Sequence, residues 1–263
     1  MTTFERTTLG RTGMAVGRLG ISASYGVPAA AVERAFEQGV NYLYWGSWRR
    51  DDFGVAIRNL RRHREKMALV VQSYSPIAGL LGWSVERALR RLDTDYIDVL
   101  LLGLWNRPVP PRITSACHNL RERGLVRHLA FSTHHRPRVA QSASSADFGV
   151  VHFRYNAVHA GAENDVFPLL PANNRPGIVT FTTTCWGQLL DRRRIPQGET
   201  APTATDCYRF VLTNPAVDVC MSGPANAAQA EAALEALRRG PMDEEKMAWM
   251  RRVGAAIYHK RRS

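Results

Sequence analysis

Eight short apolar runs recur along the chain, ISASY, NYLYW, MALVVQS, IDVLLLG, RHLAFS, GVVHFRYN, GIVTFT and VDVCMSG, and helical or loop segments separate them. Strands that short, apolar almost throughout and spaced by whole-helix connections are parallel strands joined by crossovers rather than by hairpins. Over 263 residues, eight such units predict a single α/β domain, a closed (β/α)8 TIM barrel spanning 1–263. Helix boundaries agree with this reading: Pro28 opens PAAAVERAFEQG and Gly39 closes it, Asp51 and Asp52 start DDFGVAIRNLRRH, and Gly124 ends RITSACHNLRERG. An open doubly wound sheet would carry a glycine-rich phosphate loop after the first strand, and ISASYGVP contains no GxGxxG. The opening TTLGRTGMAVGRLG alternates strand-like pieces with Gly turns and predicts a β-hairpin within 1–19, and 257–263 reads as a basic tail. The aperiodic stretch Gln188–Thr205, with Arg192, Arg193 and Arg194, reads as a mobile loop over the barrel mouth.

Composition removes several functional classes. No apolar run approaches the ~18–20 residues of a membrane span, and MTTFERTTLG has no apolar signal core, so a soluble, cytoplasmic protein with no membrane partner is expected. Cys117, Cys185, Cys207 and Cys220 show neither CxxC pairing nor zinc-like spacing, which fits reduced thiols; Cys185, just after a strand, is either a small buried residue or a nucleophile. The net charge of +12 raises nucleic acid as a partner. Its arginines spread over helix faces and ends without aromatic interleaving or a binding motif, so a solvated basic surface is expected instead.

The segments LGRTGMAVGRLG, FEQGVNY, SVERALRRLDTDYIDVLLLG, RERGLVRHLAFST and NPAVDVCMSGPANAAQAEAAL resemble the aldo-keto reductase superfamily over nearly the whole chain. That resemblance implies a barrel with NADP(H) across its C-terminal mouth and an Asp, Tyr, Lys and His acting together on a carbonyl. The family's aspartate position falls here on Tyr44, the tyrosine on Trp48 or Arg49, the lysine on Gln72 and the histidine on Gly103. Neutral Gln72 does not lower a phenol pKa as an ammonium does, and Gly103 offers no side chain to orient a carbonyl. The resemblance also implies cofactor contacts at Ser132, Thr133, His152 and Phe181, of which Ser132 is kept and Phe181 is an aromatic substitute. The strand-eight slots for the 2′-phosphate and adenine read Ala225, Ala232 and Ala233, so a guanidinium fork is missing. Backbone donors after Gly223, and Asn226, remain to receive a phosphate. The cofactor is left unassigned, with NADP(H) implied by the resemblance alone.

In a barrel of this kind the site lies at the C-terminal strand ends, so the replacements themselves form the candidate site. Tyr44, Gln72, His152 and Arg154 are the catalytic candidates. Trp45, Trp48, Tyr74, Trp105, Asn106, His134, Asn156 and Trp186 are the candidate substrate pocket. A ring so aromatic and hydrogen-bonding suits a flat polar ligand, whereas a drifting dead site leaves miscellaneous residues. Each member also has a bland reading: Trp45 and Trp105 as volume fillers, Tyr44 hydrogen-bonded to a neighbour such as Gln72, and His152 with Arg154 as a pair on one strand face. For a metal only His134 or His135, His152 and Cys185 could be assembled, without a carboxylate at a strand end, and no metal is expected. Three functions stand open: an enzyme with a rebuilt pocket for an aromatic or carboxylated small molecule, an NADP(H)-dependent carbonyl oxidoreductase with Tyr44 as proton donor, and a non-catalytic ligand-binding or regulatory protein.

Overall fold

The chain forms its barrel by laying each apolar run beside the next. The structure, a computed structural model, describes residues 3–46, 51–142 and 145–260. In chain order it runs β1 (Thr7–Thr8), β2 (Ala15–Val16), β3 (Leu19–Ser22), α1 (Ala29–Glu37), β4 (Tyr42–Trp45), α2 (Asp51–Asn59), β5 (Ala68–Ser73), α3 (Ala78–Leu92), β6 (Ile97–Leu104) and α4 (Pro111–Glu122). It continues with β7 (Val126–Thr133), α5 (Arg136–Ser142), β8 (Val150–Arg154), α6 (Ala162–Asp165), β9 (Gly177–Phe181), α7 (Ala204–Thr213), β10 (Val219–Ser222), α8 (Ala227–Arg239) and α9 (Glu244–Lys260). Strands β3 to β10 are parallel throughout, and β10 pairs with both β9 and β3 to close the ring, the (β/α)8 TIM barrel expected from the sequence.

The two-residue period of a strand sorts the apolar residues into two cores. Tyr42, Val70, Val99, Ala130, Val150 and Val219 fill the barrel interior, while their neighbours Leu43, Leu69, Leu100, Phe131, Val151 and Cys220 pack outward against the helices. At Gly20 a Cβ would stand 2.5 Å from Met221 Sδ and 3.1 Å from the Tyr42 ring, so the bare backbone there lets Tyr42 lie inside the barrel.

The expected hairpin is present: β1 and β2 are antiparallel, and Leu9 and Val16 plug the end of the barrel away from the strand C-termini. Asn41 ties it down by accepting the Gly17 N–H at 2.9 Å and donating to the carbonyls of Ala15 at 3.0 Å and Lys66 at 2.8 Å. Its boundary differs from the expected 1–19, because Leu19 already belongs to the first barrel strand. ISASY is likewise only partly a strand: Ala23–Tyr25 turns into a 3-10 helix capped by Ser22. Ile257–Lys260 finish α9 rather than starting a tail, and residues 261–263 lie outside the described residues.

The 188–205 segment carries two 3-10 turns, Gln188–Leu190 and Arg192–Arg194, and an Arg252–Glu199 pair at 3.0 Å holds it to α9. It packs beside the last helix, and Asp191 forms ion pairs with both Arg193 and Arg194, so the expectation of a loop over the mouth is corrected. No helix among the described residues is long and apolar enough to cross a membrane. All four cysteines are buried, and none forms a disulfide among the described residues.

Candidate active site at the barrel mouth

A cavity of about 770 Å³ opens at the C-terminal ends of the strands. Of the sequence-predicted residues, Tyr44, Gln72, Tyr74, Ser132, His134, His152, Phe181, Trp186 and Gly223 line it. The alternation that points Tyr44, Gln72, Ser132 and His152 inward is the one that fills the interior one step lower with Tyr42, Val70, Ala130 and Val150.

At the floor, Tyr42 Oη lies 2.7 Å from His152 Nε2. Tyr42 is fully enclosed and His152 is 4% exposed. Burial pulls the His152 imidazole down to about 3 and pushes the Tyr42 phenol up, so both are neutral at pH 7. The Gln72 side chain joins the wall with its Oε1 buried and without a partner among the described residues.

At the rim, Tyr74 occupies the space beside Gly103: a Cβ on Gly103 would meet the Tyr74 ring at 2.3 Å. The position where the resemblance places a histidine is therefore covered by a phenol from the neighbouring strand end. Tyr44 stands beside this Tyr74, and burial first, then Tyr74, raise the Tyr44 pKa. Across the mouth the Tyr25 ring covers Gly223, where a Cβ would stand 2.8 Å from it. His134 meets Phe181 edge-on at 5.6 Å, and its pKa is lowered by burial and then by Arg154.

The loop after β9 is held in an unusual backbone. Thr182, Cys185 and Trp186 all have positive φ, 55°, 51° and 53°. For β-branched Thr182 this is a costly conformation that persists only when surrounding structure dictates it. Asn156 supplies part of that structure: its Nδ2 donates to the Thr182 carbonyl at 2.6 Å, and its Oδ1 accepts the His159 N–H at 2.9 Å.

Several expected pocket residues stand elsewhere. Trp45 faces the outer core because it is one residue out of phase with Tyr44, and Trp105 packs against that same core. Thr133 and Asn106 form a loop clamp, Asn106 Oδ1 accepting from Thr133 Oγ1 at 3.1 Å and from the His134 N–H at 2.9 Å. Asn156 is the brace just described, and Arg154 is half-buried outside the lining while its charge reaches His134. Asn226 caps α8 by accepting the Gln229 N–H at 2.9 Å. Cys185 is buried in the outer core, a small packed residue. Trp48 and Arg49 lie outside the described residues.

Sequence reasoning missed Tyr25, Tyr208, Ser22, Ser222 and the threonines Thr182–Thr184, all in the lining. The period-two signal that found Tyr44 applies equally to Ser22 and to the floor residue Tyr42; Tyr208 comes from α7, and no local pattern marks it. Among the described residues no group of three His, Cys, Asp or Glu is placed to hold a metal.

A dinucleotide phosphate can be tested against these residues. Ser132 and Phe181 suit its nicotinamide end. Its phosphates need cations or open backbone donors, yet no Lys or Arg among the described residues lines the cavity. At the start of α8, Gln229 Oε1 already takes the Ala225 N–H at 2.8 Å, Asn226 takes that of Gln229, and the first basic residue of the helix is in its last turn. The residues present do not fit the phosphate-bearing half of that cofactor.

Comparison with known proteins agrees with the fold and the resemblance. The aldo/keto reductase family model matches residues 81–206. Among curated proteins, aldo-keto reductase ausK of Aspergillus calidoustus is 27% identical over 150 residues, covering 51% of this chain and 38% of the relative. The counterpart from Emericella nidulans is 25% identical over 150 residues with the same coverage, so the chain spans about two fifths of the length of these relatives. Among solved structures, the holo form of an aldo-keto reductase from Bacillus halodurans superposes with a TM-score of 0.78 at 20% identity, covering 99% of this chain and all of that one. An aldo/keto reductase from Klebsiella pneumoniae, solved with NADP and acetate, gives 0.76 at 19% identity over 95% of this chain and 96% of its own. At these identities the structural likeness is one of fold.

Proposed function

We propose that this chain, which belongs to the aldo-keto reductase superfamily, receives an uncharged, flat, hydrogen-bonding small molecule at the mouth of its oxidoreductase-like barrel and acts on it through neutral groups. The observation that carries this reading is the charge of the wall. Among the described residues, a cavity of about 770 Å³ is lined by phenols, hydroxyls, imidazoles, one amide and apolar side chains, with no Lys, Arg, Asp or Glu. A carboxylate there would be desolvated with no lining cation to balance it, which argues for the uncharged member of the aromatic-or-carboxylated class.

The same groups argue against the family's usual proton donor. Carbonyl reduction works best with an acid whose pKa lies near neutrality, whereas burial moves Tyr44 in the opposite direction. His152 stays neutral to about pH 3 and acts as a hydrogen-bonding group rather than an acid. The strained backbone at Thr182, Cys185 and Trp186 beside the cavity supports an enzyme over a relic, since strain of this kind persists where a site needs fixed geometry. Four buried thiols outside any disulfide suit a cytoplasmic setting.

Thermal-shift titration with benzamide, benzoate and NADPH tests the reading, because benzamide and benzoate share a shape and differ in charge. Benzamide is expected to raise Tm in a saturable way, with benzoate weaker and NADPH without saturation at millimolar concentration. Preference for benzoate would sink the neutral-ligand reading. Micromolar NADPH saturation would favour the second reading, carbonyl reduction with Tyr44 as proton donor, for which Ser132 and Phe181 in the wall speak.

A further inference from the structure

We infer that Tyr42 is a positioning residue of this site: its hydroxyl donates to His152 Nε2, fixes the imidazole proton on Nδ1, and so gives the cavity floor a neutral N–H donor for a ligand carbonyl oxygen. The occupant follows from the neutral-ligand reading above, whereas the tautomer follows from the protein's own hydrogen bonds.

Tyr42 is fully enclosed in the barrel interior, and its only hydrogen-bond partner among the described residues is His152 Nε2 at 2.7 Å. A buried phenol with one neighbour either donates to it or leaves its hydrogen unpaired, and the second arrangement carries the desolvation penalty of a lost bond. The hydroxyl therefore donates and Nε2 accepts. A neutral imidazole has one ring proton, which then sits on Nδ1. His152 is neutral throughout the ordinary pH range because its surroundings are apolar and enclosed.

Nδ1 has no partner among the described residues, although the side chain is 4% exposed and lines the cavity. An N–H on a ring that lines the cavity, with no acceptor among the described residues, is one that a ligand acceptor completes. The ring is held in place for this: Gly20 leaves room for Tyr42 beneath it, and Tyr44 flanks it with ring centroids 6.4 Å apart. On the β6 side Gly103 provides no side-chain donor and the Tyr74 ring fills the space beside it, so among the described residues the imidazole on β8 offers a donor whose proton is fixed by a protein hydrogen bond.

Nitrogen-15 correlation spectra of the histidine rings read the tautomer directly in the unmodified protein. A protonated Nδ1 with a bare Nε2 at His152 is expected, and Tyr42→Phe should convert this single form to a mixture. A wild-type Nε2–H form, or an unchanged tautomer in Tyr42→Phe, overturns the assignment; the wild-type spectrum decides even where the variant folds poorly. Acetophenone and α-methylstyrene then serve as binding probes of one shape, with and without the acceptor oxygen. The wild type should prefer acetophenone, and Tyr42→Phe should cut that preference about three- to tenfold while leaving α-methylstyrene affinity unchanged. Equal wild-type affinities overturn the acceptor role. Failure of both probes to bind, with the Nδ1–H form intact, sinks the neutral aromatic reading and leaves the assignment of Tyr42 standing.

Discussion

His152 shows at a single residue what enclosure in the barrel does to chemistry. Burial takes its imidazole from 6.5 down to about 3. As pH falls, the unfolded chain takes up a proton here near 6.5, whereas the folded chain does so only near 3. Between those values the unfolded state holds the extra proton, so stability is fully present above the window and is lost as pH falls through it. The slope from this one group is about 1.4 kcal/mol per pH unit. Urea unfolding of the wild type should therefore weaken between pH 6.5 and 5, and His152→Gln should remove one proton's worth of that slope. Parallel slopes for the two proteins would mean that His152 titrates like an exposed histidine. A hydrogen-bond donor with constant charge is what such a residue contributes, and this is why the site is read as binding a carbonyl rather than shuttling protons.

At the scale of elements, two buried acids pin strand to strand at the barrel end away from the cavity. Asp98, near the start of β6, accepts from Arg64 at 2.7 Å, from Arg127 at 3.3 Å and from the Leu69 N–H of β5 at 2.9 Å. Asp218, just before β10, accepts both arms of Arg175 at 2.7 Å and the Ile178 N–H of β9 at 2.8 Å. Removing one partner of such a pair strands the other charge, so Asp218→Ala should lose about 3–5 kcal/mol in denaturant titrations. Arg238→Ala, in the exposed cluster with Glu231 and Glu235 on α8, should change stability by less than about 1 kcal/mol. Comparable losses would show that burial does not govern these pairs. Elements were also what the sequence disclosed best, because each strand and helix is encoded locally by its period and by Gly or Pro at its ends. Site residues on the strands followed from the same period, which is why Tyr44, Gln72 and His152 proved inward while Trp45, one step out of phase, did not. Tyr74 folded over Gly103, Tyr25 over Gly223 and Tyr208 reaching in from α7 are long-range packing outcomes that no local pattern carries.

For the whole molecule, the decisive contact is the seam where the last barrel strand meets the first. Along it Ser222 Oγ donates to the Gly20 carbonyl at 2.7 Å, and the Cys220 N–H donates to the Arg18 carbonyl at 2.9 Å. Arg18 also sends its guanidinium back to the carbonyls of Val217 at 2.8 Å, Asp218 at 3.2 Å and Leu212 at 3.3 Å. Enclosure in this seam lowers the Arg18 pKa, burial being the leading cause and Asp218 opposing it. Residues about 200 positions apart thus depend on one side chain, and in a closed ring no strand has a free edge on which half the barrel would stay folded. Arg18→Met keeps most of the apolar stem but leaves three carbonyls without their donor, a loss of about 2–4 kcal/mol at roughly 1 kcal/mol or more for each unmet group. The urea midpoint should fall accordingly while the transition stays single and its slope unchanged, since the same surface is exposed on unfolding. Two separated transitions, or a shallower slope, would instead mean that the halves of the chain hold together on their own and that the seam closes late, around a barrel already formed.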